Sequence, residues 1–293
     1  HPDSTNVRHP RWGASRVNDP TLIPRDALAG RRVGLSVSES SDLAALGLSE
    51  RHCRMVVAEV TRAILLAGGT VVYGGRLEPE GYTRVLLDEI QRFKEGTASI
   101  EFVLAEPEFR ATAVEKLDET TQRLGALGRL RFVDFTGSEL RLRDTSRPEV
   151  EFDDADAYSA MRGFVARDTD SRVVVGGQLT GYKGHEPGII EEARLSLEAG
   201  AELYIAGGYG GAGALLALAL RGNGGAWAPP GFPRHAEDLG VQRALDRFLA
   251  VSKTADLVLL PESDAQTLEA SHRPADIATT VARALASQRR RGR

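Results

Sequence analysis

The feature that most constrains this chain is an alternation. Short apolar runs ended by glycine or serine take turns with segments whose apolar residues recur at helical spacing. Arg31 to Val37 reads as a strand. Ser49 then caps a helix from Glu50 to Ala67, with Met55, Val56, Val60 and Ile64 at helical spacing and Gly68 and Gly69 as its stop. Thr70 to Tyr73 is a second strand, Tyr82 to Phe93 a helix and Ile100 to Leu104 a third strand. Ala113 to Leu127 reads as helix, Leu130 to Phe135 as strand, Thr136 to Asp153 as loop and Asp154 to Ala166 as helix. The pattern is sharpest later: strand Arg172 to Val175, helix Gly188 to Ala199, strand Leu203 to Ala206, helix Gly213 to Leu220. A glycine- and proline-rich loop runs from Arg221 to Pro233. Helices at about Ala236 to Val251 and Ala275 to Ser287 follow, with a short apolar run, Leu257 to Leu260, between them.

Strands alternating with helices predict an α/β fold, a Rossmann-like doubly wound parallel sheet with helices on both faces. In such sheets ligands bind beyond the carboxyl ends of the strands, where the strand order reverses. The first thirty residues carry Pro2, Pro10, Pro20 and Pro24 and no periodicity, so they are expected to form an N-terminal arm. Residues 31–290 are expected to form one domain, and Arg289 to Arg293 a solvated tail.

Composition narrows the function classes. A formal net charge of −4 over 293 residues argues against a nucleic-acid binder, which would show a clustered basic face. The single cysteine, Cys53, excludes an internal disulfide and reads as a buried thiol. No apolar stretch is long enough to span a bilayer. His1 to Asn18 is polar, without the apolar centre of a secretory signal, so the chain is expected in the cytoplasm and off the membrane. No Cys/His cluster has metal-ligand spacing, so no metal is expected. No cofactor is expected to be required beyond the ligand itself.

Four strand ends carry sequences suited to a ligand, all on one edge of a parallel sheet. The first, Gly34 to Ser41, offers Ser36, Ser38 and Glu39. The second has Gly74 and Gly75, then Tyr82 and Thr83 at a helix start, where free amides attract anions. The third is the longest. Gly176 and Gly177 lead through Tyr182, Lys183 and Gly184 to Gly188, and Lys183 could meet a phosphate. His185, in the same loop, reads as a surface or contact residue. Glu191 and Glu192 follow in the first turns of the next helix. Neighbours on a helix point about 100° apart, so at most one of them faces the ligand. The fourth, Gly207, Gly208, Gly210 and Gly211 before Gly213, fits G-x-G-x-x-G between strand and helix. No acidic residue ends a strand about 20 residues later, so the dinucleotide fingerprint is set aside. Close backbone approach to phosphate or ribose is retained, and a side chain at Gly208 is expected to block it.

In order, Gly-Leu-Ser-Val-Ser-Glu-Ser from Gly34, Tyr73-Gly74-Gly75, Gly181-Tyr182-Lys183-Gly184, Pro187-Gly188-Ile189-Ile190-Glu191-Glu192 and Gly207-Gly208-Tyr209-Gly210-Gly211-Ala212 resemble the SLOG superfamily. That group joins the LOG-type phosphoribohydrolases, DprA-type DNA-processing proteins and the ligand-sensing domains of TRPM channels and bacterial defence proteins. The LOG enzymes carry P-G-G-x-G-T-x-x-E. Gly176-Gly177 and Gly188 to Glu192 are similar to its two ends, with Ile189 in place of threonine and Gln178 to Pro187 between the halves. The order of motifs is more similar to the prokaryotic relatives of the TRPM sensing domain. The resemblance implies a nucleotide-derived ligand of the ADP-ribose or NAD-derivative type, sensed or turned over. If it is turned over, the chain is an N-glycosidase with Glu192 in the place of the catalytic glutamate, and Glu191 is the next candidate. The expected partner is that small ligand, with a homo-oligomer left open.

Overall fold

The computed structural model describes residues 23–78, 80–93, 99–145, 151–221 and 227–288. Among these residues seven strands form one sheet: β1 (Arg32–Ser38), β2 (Thr70–Gly74), β3 (Ser99–Ala105), β4 (Gly128–Val133), β5 (Glu139–Leu140), β6 (Ser171–Gly176) and β7 (Glu202–Ala206). Their order is β5-β4-β3-β2-β1-β6-β7, and every pairing is parallel except β4 with β5. The order runs one way from β1 to β4 and the other way from β6 to β7. The switch point is therefore the β1–β6 pair, where Ser36 lies beside Val174 and Ser38 beside Gly176.

The helices are α1 (Glu50–Leu66), α2 (Tyr82–Ile90), α3 (Glu106–Arg110), α4 (Val114–Leu124), α5 (Asp154–Asp168), α6 (Gly188–Glu198), α7 (Gly211–Arg221), α8 (Leu239–Ser252), α9 (Glu262–Ala270) and α10 (Pro274–Ser287). Right-handed crossovers put α1 and α2 on one face and, after the reversal, α6 on the other. Strand side chains alternate accordingly. Val33, Leu35, Val173 and Val175 join the core under α1 and α10. Val174 and Ile205 join the core under α6, α7 and α8. Val72 and Val103 pack against Tyr158, Met161 and Val165 of α5. Both faces are covered, which is why the central strands read as near-continuous apolar runs.

The fold is the doubly wound Rossmann-like α/β sheet that the alternation implies. Three details differ. Thr136 to Asp153 is not all loop: Asp134 Oδ1 accepts from the amides of Thr136 and Ser138, both at 2.9 Å, and turns the chain back as the antiparallel β5. A two-residue strand is too short to show alternation. α9 buries only Leu268 and Glu269, so it has almost no apolar stripe to read. The segment expected as helix from Ala236 starts at Leu239. Of the expected arm, residues 1–22 lie outside the described residues; Leu28 is fully buried, and its amide donates to Ala67 O at 2.8 Å. The tail Arg289 to Arg293 and residues 222–226 of the long loop also lie outside the described residues. Among the described residues no helix is long and apolar enough to cross a membrane.

Candidate functional site

A cleft of about 430 Å³ opens at the carboxyl ends of β1 and β2 and under the loop that follows β6. This is the edge where a reversed strand order leaves room for a ligand, and the volume lies within the roughly 300–1,000 Å³ of small-molecule sites. Ser36, Ser38 and Glu39 come to it from β1, Gly74, Gly75 and Tyr82 from β2 and α2, and Tyr182, Lys183, Gly188 and Glu192 from the β6 loop and α6.

Glu192 lies at its base. Its Oε2 accepts from Ser36 Oγ and, at 3.0 Å, from Arg172 Nη1. Its Oε1 has Arg162 Nε at 3.8 Å. Arg172 is buried in mid-sheet. It also donates to Ser196 Oγ at 2.5 Å and to Ser36 Oγ at 2.8 Å. Burial pushes its guanidinium pKa down, and the charge of Glu192 pulls it partly back. Gly34, which carries no side chain, and the small Ser36 leave the space over which this arginine crosses from β6 to β1. Glu191 points elsewhere: it is 4% exposed, bonded to Arg162 Nη1 and, at 2.6 Å, to Ser159 Oγ. Of the two neighbouring carboxylates, Glu192 is the one in the cleft.

Arg162 explains two glycines. A Cβ at Gly188 would stand 2.5 Å from Arg162 Nη2, and one at Gly184 2.6 Å from Nη1. These glycines make room for the guanidinium under the β6 loop.

The walls are aromatic and acidic. Tyr73, Tyr82, Tyr158 and Tyr182 line the cleft with Glu39, Glu50, Glu78 and Glu108, beside the cations Arg76, Arg162 and Lys183. Burial raises the pKa of Tyr73, Tyr82 and Tyr158 well above the usual phenol value. Glu39 and Glu50 share a hydrogen bond that pushes Glu39 up, while Arg54 holds Glu50 down. Cys53, packed below, is pushed up to about 12 by burial, the state of an inert thiol. His185 lies outside the lining; its exposed Nε2 meets Asp156 Oδ1 at 2.8 Å, and that hydrogen bond raises its pKa.

Other expected residues are placed differently. Thr83 is buried and spends its hydroxyl on Arg76 O at 2.5 Å, closing its own loop. Gly176 and Gly177 are buried beside Ser38, whose carbonyl accepts the Gly177 amide at 2.9 Å. The whole fourth loop lies outside the cleft. Gly207, Gly208, Gly210 and Gly211 are buried, and a Cβ at Gly208 would stand 2.5 Å from Ser271 O, between α9 and α10. The anion position at the start of α7 is filled from within: Asp42, fully buried, accepts from the Gly211 amide at 2.8 Å and the Arg234 amide at 2.9 Å. The sequence pattern showed a loop that admits a close neighbour but not that the neighbour is protein.

Arg162, Arg172, Tyr158, Arg76 and Glu108 went unread in the sequence. Two of them carried a signal. Arg172 opens the run Arg-Val-Val-Val, and Arg162 interrupts the apolar side of α5; a charge at a core position requires a buried partner. Among the described residues no group of three or more His, Cys, Asp or Glu is placed to hold a metal ion.

No curated protein and no solved structure matches the chain at a significant level. A family model described as SLOG cluster2 matches residues 27–248, which take in the sheet, the cleft and most of α8. With the switch-point cleft and the doubly wound sheet it belongs with, that match shows that the chain is a member of the SLOG family.

Proposed function

We propose that the cleft binds a nucleotide-derived ligand of the ADP-ribose or NAD-derivative type, in a sensing role such as bacterial stress or antiphage signalling. Membership of the SLOG family points to a nucleotide-related ligand or to glycosidase-like chemistry. The observation that carries the reading is Glu192 at the base of the switch-point cleft. Its Oε2 is held by Ser36 and Arg172, and among the described residues its Oε1 has no partner nearer than Arg162 Nε at 3.8 Å. A carboxylate held on one oxygen and open on the other is suited to accept a ribose hydroxyl. The tyrosines around it offer faces on which a base can stack.

The same carboxylate favours a second reading, hydrolysis of an N-glycosidic bond. As the bond from C1′ to the base lengthens, positive charge develops on C1′ and the ring oxygen, and Glu192 would stabilise it. Water then adds its oxygen to C1′; the proton it loses goes to a base that leaves as an anion, such as adenine, and to solvent where nicotinamide leaves already neutral.

Glu192→Gln separates the two. Nucleotides, ADP-ribose and NAD are incubated with wild type and variant, the products are resolved by chromatography, and affinities are measured by calorimetry. A sensor releases no base, and the variant loses affinity alone, by about 1–3 kcal/mol for one hydrogen bond to a charged acceptor. A glycosidase loses base release while affinity stays within about tenfold, because the carboxylate acts mainly in the transition state. Base release that persists in the variant sinks the assignment to Glu192. No binding and no turnover by wild type sinks both readings.

A further inference from the structure

The accessible cations of the cleft converge on one oxygen. Glu108, on α3 and only 15% exposed at its side chain, accepts the Tyr158 hydroxyl on Oε1 at 2.5 Å. Arg76 Nε, from the loop after β2, stands 3.2 Å from the same oxygen. Lys183 Nζ, from the loop after β6, stands 3.5 Å from it and 3.4 Å from the Tyr158 hydroxyl. All four residues line the cleft. The third lining cation, Arg162, is engaged with Glu191 beneath the loop.

This arrangement is poorly matched to a carboxylate. One carboxylate oxygen has two lone pairs, and here it meets three donors. Tyr158 makes the short bond and the two cations stand off. Arg76 and Lys183 are 46% and 50% exposed at their side chains. Ion pairs that open are worth only about 0–1 kcal/mol each, so they brace the loops weakly. A phosphoryl group has three acceptor oxygens and about 1.5 to 2 negative charges, enough to serve the phenol, the guanidinium and the ammonium separately.

We infer that Arg76, Lys183 and the Tyr158 hydroxyl form the subsite for a terminal phosphate, and that the Glu108 carboxylate holds that place until the phosphate displaces it. The inference rests on the nucleotide reading above and divides the cleft in two. Sugar recognition falls to Glu192 and Ser36, phosphate recognition to the mouth formed by the β2 and β6 loops. Glu108 then sets a threshold, because a ligand without a phosphate gains nothing from displacing it.

The test is calorimetric titration of the full chain with AMP, adenosine and inorganic phosphate. It compares wild type, Glu108→Gln and the double variant Arg76→Gln with Lys183→Gln. Glu108→Gln removes the charge that meets both cations, leaves Glu78 on Arg76 Nη1 at 3.2 Å, and keeps an acceptor for Tyr158. It is expected to bind AMP and phosphate about five- to tenfold more tightly, the effect of one like charge removed from a partly exposed site, with adenosine unchanged. The gain shrinks as salt is raised. The double variant, changed only at half-exposed positions, is expected to fold normally and to bind AMP no better than adenosine. That arm decides the matter even if Glu108→Gln melts early. A double variant that keeps the wild-type preference for AMP overturns the subsite. So does a folded Glu108→Gln that binds phosphate no more tightly than wild type, and Glu108 is then a brace. Equal binding of AMP and adenosine by wild type overturns the subsite but leaves the nucleoside site standing. Tighter phosphate binding by Glu108→Gln with no nucleotide or nucleoside bound by any form keeps the subsite and removes the nucleotide reading.

Discussion

The loops after β6 and β7 leave neighbouring strands at the same edge of the sheet, and both are rich in glycine. The β6 loop exposes Gln178, Thr180, Gly181 and Lys183 and forms one wall of the cleft. The β7 loop and the first turns of α7, from Ala206 to Ala217, are buried throughout. In the first, Gly184 and Gly188 yield space to Arg162. In the second, Gly208 yields space to the junction of α9 and α10, and Asp42 takes the anion position of α7. A glycine-rich strand end followed by a helix therefore states that something approaches the backbone closely. Whether that neighbour is a ligand or another part of the chain depends on what the rest of the chain delivers there.

Gly208→Val strikes this contrast hardest. A side chain there meets backbone rather than ligand, so the variant is expected to lose about 3 kcal/mol or more of stability, as for a severe overpacking with nothing flexible to yield. Thermal denaturation measures it. A normally stable variant that has lost only ligand affinity would return the β7 loop to the binding site.

Asp42→Asn comes next. The amide keeps an acceptor but gives up the charge at the start of α7 and turns a donor toward one of the two amides that Asp42 serves. A loss of about 1–3 kcal/mol is expected, with affinity for any cleft ligand unchanged within about twofold. Urea unfolding beside calorimetry separates the two quantities, and a large change in affinity would break the division between the loops.

The opposite edge of the sheet supplies a control away from the cleft. There Glu101 receives Arg32, Arg129 and Arg131. Burial pushes its pKa up, but the hydrogen bonds and charges of Arg32 and Arg129 outweigh burial and hold it at about 2, below its usual 4.5. A lowered native pKa means that Glu101 stabilises the fold above about pH 4.5 and loses that contribution as pH falls through about 2. Glu101→Gln is expected to be less stable at pH 7 and to show a shallower fall in stability over that window. An unchanged acid limb would assign acid sensitivity to other carboxylates.

Lys183→Gln should have the smallest effect on the fold, within about 0.5 kcal/mol, because its ion pair is open to solvent. If the β6 loop differs from the β7 loop as described, its stability and its affinity for phosphate-bearing ligands come apart. A loss of stability comparable to that of Asp42→Asn would show that the β6 loop, too, is held mainly by its internal contacts.

Much of the fold was legible because it rests on local periodicity. The strand from Arg172 to Val175 and the helix from Gly188 to Ala199 were readable from apolar spacing and flanking glycines; the structure extends the strand by one residue at each end and ends the helix one residue earlier, at Glu198. β5 and α9 were not, since a two-residue strand and a helix burying two residues leave too little pattern. In the cleft, the short list drawn from strand ends contained Ser36, Ser38, Glu39, Lys183 and Glu192, which line it. It also contained Gly207, Gly208, Gly210 and Gly211, which do not.

By itself, then, the sequence determined the alternation of strand and helix, the edge at which ligands are expected and the carboxylates at the start of α6. Each of these depends on residues within a few positions of one another. Only the tertiary structure decided that Glu192 rather than Glu191 enters the cleft, that Arg172 reaches across the switch point to hold it, and that Asp42 closes the β7 loop. Each of those contacts joins residues at least 20 positions apart, Arg172 with Glu192 and Asp42 with Gly211 among them. A buried charge takes whatever partner the packing brings, because leaving it unpaired costs several kcal/mol. That choice is made in space, where neighbouring positions in the sequence carry no record of it.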